Sequence, residues 1–164
     1  LLTLCSSYIR SKLEYACIIW NPIYKYKESL ERMQRKFLKF LVFRVDGAYP
    51  PQGTSYTYLL SRFDIQSLDT RRSCASIRFL YKLIHNKIDA NDILAQLNFY
   101  VPPTRTRNLR AFHCDRACTN LFTKSPIFFM CSSYNEICNC CDIYKDSLMQ
   151  LWRWQLNILV VCNS

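Results

Sequence analysis

Between Leu30 and Leu41 the chain reads LERMQRKFLKFL. At 3.6 residues per turn this sets Arg32, Arg35, Lys36 and Lys39 along one helical stripe, with Leu30, Met33, Phe37, Phe40 and Leu41 largely opposite. The oily side is expected to bury against neighbouring helices, with Phe37 a core residue and not a platform for bases. The four cations repel one another unless water, salt or a polyanion screens them, which makes a phosphate backbone the first partner chemistry to consider. A solvated basic face on an ordinary amphipathic helix is the plain alternative.

Two further basic segments add to this one. Ser67 offers an N-cap for a long helix from Leu68 to about His85. There Leu68, Cys74, Ala75, Ile77, Leu80, Tyr81 and Ile84 fall on an inward face, and Arg71, Arg72, Arg78 and Lys82 on an outward one. The stretch Thr104 to Lys124 has no surviving period and carries Arg105, Arg107, Arg110 and Arg116, a second, mobile set of candidate contacts. The chain as a whole holds 22 Lys and Arg against 12 Asp and Glu, a net charge of +10. That balance suits a polyanion, and arginine suits phosphate in particular.

The chemistry missing from the sequence narrows the reading. Only two glycines occur, and neither belongs to a loop of the G-x-G-x-x-G or G-x-x-x-x-G-K kind that cradles nucleotides. The acids stand singly, with no Asp-Asp pair, whereas two-metal phosphoryl transfer needs converging carboxylates. His85 and His113 are far apart and have no nucleophile at catalytic spacing. No catalytic residue, cofactor or metal is therefore expected. Of the ten cysteines, Cys5, Cys17, Cys74 and Cys162 stand alone as small hydrophobes. A zinc module would need Cys114 and Cys118, with His113 beside them, to meet Cys138 and Cys141. Reduced thiols in a cytosolic or nuclear setting are the expectation. The most apolar run, Leu156 to Cys162, is far too short for a bilayer, so no membrane partner is expected. The chain starts without Met in what reads as the middle of a helix, as a piece of a longer protein would.

The elements that must position these residues read as helices. The first spans Leu1 to Trp20 and stops at Asn21-Pro22, and the second runs from about Lys27 to Val45 and is closed by Asp46-Gly47. A short helix fits Tyr56 to Arg62, and another, capped by Asp89 or Asn91, runs through Leu97. A short strand fits Leu109 to His113. Ser125-Pro126 opens a helix to about Cys138, and a last helix fits Ile143 to Leu159. The expected class is mainly α, an irregular helical bundle of about five to seven helices with a basic loop and little or no sheet. Residues 1–145 form the helical region, and 146–164 a terminal helix and divergent tail.

Several phrases stand out along the chain. They are Arg10-Ser11-Lys12-Leu13-Glu14-Tyr15 with Trp20-Asn21-Pro22, then Glu31-Arg32-Met33-Gln34-Arg35-Lys36-Phe37-Leu38-Lys39-Phe40. Tyr49-Pro50, Ser67-Leu68 with Arg71-Arg72, Phe79-Leu80-Tyr81-Lys82-Leu83 and Val101-Pro102 follow. Thr119-Asn120, Ser125-Pro126-Ile127 and Tyr134-Asn135 complete the series. In these phrases residues 1–145 resemble the region beyond the catalytic core in reverse transcriptases of insect non-LTR retrotransposons, the jockey-like elements. Ser76, the Cys138-Asn139-Cys140-Cys141 run and the tail from Asn157 depart from that pattern.

The resemblance implies a parent RNA-directed DNA polymerase that copies element RNA into DNA at a nicked target, with an endonuclease and a polymerase core upstream. It places these residues in or just beyond the helical thumb, where template and primer are gripped. The partners it implies are RNA, DNA or an RNA–DNA hybrid and the upstream polymerase core, in cytoplasm and nucleus. The Tyr-x-Asp-Asp turn of the polymerase has no counterpart here, so no catalytic residue carries over. A structural or degenerate helical domain without retained activity is the rival reading.

Overall fold

A computed structural model describes residues 3, 5–19, 24–101, 110–114, 119–123, 125–139 and 141–145. It divides the chain into two compact units, Leu1–Arg72 and Ser73–Ser164. The described residues are mainly helical, and their only β pairing is an isolated antiparallel bridge between Phe99 and Phe112. The expected last helix falls almost wholly outside them; its first residues, 143–145, form a turn.

In the first unit the expected opening helix is broken. A π-helical stretch, Cys5–Arg10, runs into one helical turn, Ser11–Leu13 (α1), and the chain then turns at Ala16, whose φ is +48°. Non-glycine residues rarely enter this left-handed region, so the apolar period of 1–20 does not continue as helix. Tyr24–Asp46 forms α2, a rod of 23 residues and about 34 Å. It ends where expected, because Gly47 takes φ +73° and its N–H reaches back to the Phe43 carbonyl at 2.9 Å. Tyr56–Arg62 forms the short α3, as its sequence suggests.

The core of this unit is Leu38, Leu41 and Val42 of α2 against Leu59 of α3, with Phe37, Tyr56, Leu60, Phe63 and Ile65 at its margin. The buried arc of α2 is thus Gln34, Leu38, Leu41 and Val42, spaced i, i+4, i+7 and i+8. Met33 and Phe40, expected inside, are outside at 58% and 38% exposure. A seven-residue α3 covers only a narrow arc of α2, so Met33 and Phe40, which share the opposite side, stay largely in water. Phe37 is half-buried.

Leu68–Ile84 forms α4, and its first turn belongs to the first unit. Ser67 caps it as expected, its hydroxyl accepting from the Thr70 N–H at 3.2 Å. Glu31 of α2 supplies a second cap, since Oε1 accepts from the Asp69 N–H at 3.0 Å while Oε2 accepts from the Tyr56 hydroxyl. One carboxylate therefore ties α2, α3 and α4 together and sits favourably at a helix N-terminus.

In the second unit the rest of α4 packs with Asn91–Leu94 (α5) and Pro126–Ile137 (α7), and Asn120–Thr123 (α6) lies against α7, where Phe122 meets Phe128. Helix α5 ends at Leu94, short of the expected Leu97, and neither Asp89 nor Asn91 caps it, because its N-cap position is Ala90. Ser125 caps α7 as expected, accepting from the Phe128 N–H at 3.3 Å. Ile77, Leu80, Leu83, Phe112, Met130, Tyr134 and Ile143 lie in one hydrophobic cluster. Phe112, the largest wholly buried side chain among the described residues, meets Tyr134 edge to face at 5.6 Å between centroids.

Candidate nucleic-acid interface

On α2 the buried arc decides which cations reach solvent. Arg32 and Lys36 are exposed and Lys39 is half-buried, and none of the three forms an ion pair among the described residues. Arg44, not among the sequence candidates, is exposed on the same outer half, with its guanidinium 6.0 Å from the centre of the Phe40 ring. From Arg32 to Val45 the helix holds no acid. Arg44 falls at the helical period of Met33 and Phe40, the side expected to be buried, so extending the cationic stripe would not have found it.

Arg35 is turned inward instead. Its Nη2 donates to the Thr54 carbonyl at 2.7 Å, fastening the loop before α3. Beside it the buried Gln34 donates from Nε2 to the Gln66 carbonyl at 2.9 Å. These contacts make Arg35 part of the scaffold, one turn away from cations that face water.

The Arg pair of α4 also serves the fold. Arg71 grips Glu14 through both Nε and Nη2, the latter 2.8 Å from Oε2. This bidentate clasp holds the turn after α1 and occupies the fork that would otherwise meet phosphate. Arg72, expected on the outward face, is only 3% exposed, and Ser76, one turn further on, is buried as well. The helix lies deeper than a one-sided amphipathic reading allows, with Leu68, Arg72, Ser76, Leu80 and Leu83 all inside.

In the second unit Arg78 is half-buried and Arg110 exposed. Arg105 and Arg107, with Arg116, lie outside the described residues. Sequence candidates therefore separate into an outward group, Arg32, Lys36, Lys39 and Arg110, and an engaged group led by Arg35, Arg71 and Arg72.

The remaining chemistry-bearing side chains have structural partners. His85 Nε2 lies 2.9 Å from the Ile143 carbonyl, which can only accept, so that nitrogen carries the proton. His113 is exposed and stacks on Tyr100 at 6.2 Å. Among the described residues no three of His, Cys, Asp and Glu group as metal ligands would. The zinc arrangement also needed Cys118, which is outside them.

A cleft of about 350 Å³ is lined by Asn98, His113, Cys114, Phe122, Phe128 and Cys131 among others. Burial, reinforced by the neighbouring Cys114, pushes the Cys131 thiol up to about 12. The folded state holds the protonated form, so this contribution to stability is complete below the ordinary thiol range and is lost as pH rises toward 12. At pH 8 the thiolate is therefore much scarcer than for an unperturbed cysteine. Iodoacetamide should therefore leave Cys131 of the folded protein unlabelled while denaturant exposes it, as read by peptide mass spectrometry. Equal labelling in both states would show that the thiol is not held in this way.

Comparisons with protein-family models, with curated proteins and with solved structures found no match. Among the described residues no helix is long and apolar enough to cross a membrane.

Proposed function

We propose that this chain is a non-catalytic nucleic-acid-binding segment, the helical region beyond the polymerase core of a non-LTR retrotransposon reverse transcriptase. The observation that carries the reading is the outer face of α2, where Arg32, Lys36, Lys39 and Arg44 stand toward water with no acid between Arg32 and Val45. A solvated cationic face gains by exchanging its counterions for phosphates, and the release of ions from the nucleic acid drives that exchange. The family named in this reading rests on the resemblance of the ordered series of phrases. In this role the segment holds the backbone of RNA, DNA or their hybrid for an upstream polymerase core, in the cytoplasm and nucleus where such elements are transcribed and inserted.

A second reading, a structural helical domain without retained activity, is favoured by the clasp of Arg71 on Glu14 and by the inward Arg35. Anisotropy titrations of labelled duplex DNA and RNA–DNA hybrid at several salt concentrations separate the two. Binding whose log affinity falls linearly with log salt, and with little preference for sequence, is the result expected. No saturable binding at low salt leaves the structural domain as the correct reading.

A further inference from the structure

The outer face of α2 carries more than charge. Met33 is 58% exposed and Phe40 38%, and both sit among Arg32, Lys36 and Arg44. Just beyond the helix, Tyr49 is 63% exposed and stacks on Phe43 with centroids 4.5 Å apart and planes 13° from parallel. One face of the Tyr49 ring is therefore turned to Phe43 and the other is open to solvent. Cations and partly exposed rings thus alternate on one surface of the first unit, along a 23-residue helix and the turn that follows it, with the Arg44 guanidinium over one face of the Phe40 ring.

Duplex DNA would use only half of this surface. Its phosphates would meet the cations, but its bases are stacked on one another and cannot reach an aromatic face on the protein. A single strand presents both groups at once, and stacking on aromatic side chains is sequence-tolerant because every base has a π face. An acidic protein would satisfy the cations and leave the rings with no particular match. We propose that this face binds unpaired nucleotides, with phosphates on Arg32, Lys36 and Arg44 and bases stacked on Phe40 and on the open side of Tyr49. The proposal rests on the nucleic-acid reading above and narrows it to single-stranded RNA or DNA.

The test uses the full chain, a labelled oligothymidylate strand, and a labelled duplex of equal length. Phe40→Leu keeps an apolar side chain at an exposed position and removes the ring. It should weaken single-strand binding by about tenfold, within the range expected for one lost stack, while duplex affinity and the salt slope of both ligands stay within about twofold of the parent. Tyr49→Leu should act in the same direction. In the unaltered protein, ultraviolet crosslinking to a strand carrying 5-bromouracil should map to Phe40 or Tyr49, a readout that depends on no variant. Unchanged single-strand affinity in both variants, or crosslinks that map elsewhere, overturns the stacking platform and leaves the nucleic-acid reading standing. Displacement of the strand by polyglutamate, in parent and Phe40→Leu alike and at the same concentration, also overturns it and assigns the face to an acidic partner. If the parent binds neither strand nor duplex, the underlying reading fails first.

Discussion

Replacing Arg32, Lys36, Lys39 and Arg44 together by Gln leaves the protein folded and removes the share of the salt dependence of duplex binding that this helix contributes. Each cation that meets a phosphate adds about −0.9 to the slope of log affinity against log salt, so four contacts give about −3.6. For the parent protein that share alone corresponds to a fall of roughly a hundredfold between 50 and 200 mM salt. Folding is expected to survive because none of the four joins the cluster of Leu38, Leu41, Val42 and Leu59, and Gln has a helix propensity close to that of Lys and Arg. A packing contact that is lost is that of Arg44 with the Phe40 ring, a cation–π pair that at an exposed site is worth about 0.5–1 kcal/mol. Arg35→Gln is the informative contrast. It removes the hydrogen bond to the Thr54 carbonyl, so it should lower the melting temperature and leave the salt slope alone. If the quadruple variant binds with the parent's slope, the outer face of α2 is only a solvated surface.

The difference between these two groups of cations marks the limit of what the sequence makes legible. Helix boundaries that depend on local chemistry are readable: Gly47 ends α2, Ser67 opens α4, and Ser125-Pro126 opens α7. Which side of a helix faces the core is not local. It depends on how wide an arc the neighbours cover, and α2 meets a partner of only seven residues. Met33 and Phe40 are apolar and correctly spaced for a core, yet they remain in water because nothing among the described residues covers that side. The converse holds for Arg71 and Arg72. Their spacing fits an exposed stripe, but Glu14 lies 57 positions earlier in the chain, and a pairing over that separation leaves no periodic trace. The break after α1 was hidden for the same reason, since Ala16 is an unremarkable residue until its φ of +48° is known.

Asn135 shows what a short phrase can encode without any role in binding. Its Oδ1 accepts from the backbone N–H groups of Ala111 and Phe112, each at 3.1 Å, and its Nδ2 donates to the Phe112 carbonyl at 2.9 Å. A single amide thus fastens the 110–114 segment to α7 and delivers Phe112 into the hydrophobic cluster, while the bridge to Phe99 holds the segment's other edge. The preceding Tyr134 closes the next segment in the same manner, its hydroxyl accepting from the Ile143 N–H at 2.8 Å and donating to the Cys141 carbonyl at 3.0 Å. Asn135→Ala removes the partner of two backbone donors beside a wholly buried phenylalanine, and each such loss costs about 1–3 kcal/mol when water cannot take the place of the amide. The expected destabilisation is therefore about 3 kcal/mol or more in denaturant titration, a large part of the stability of a marginal domain. Hydrogen exchange locates the effect: the Ala111 and Phe112 amides should lose protection in the variant under native conditions, whereas the Gly47 amide, bonded to Phe43 in the other unit, should keep its own. A loss below about 1 kcal/mol with the Phe112 amide still protected would mean that burial of the ring, and not the Asn135 clamp, holds this segment in place.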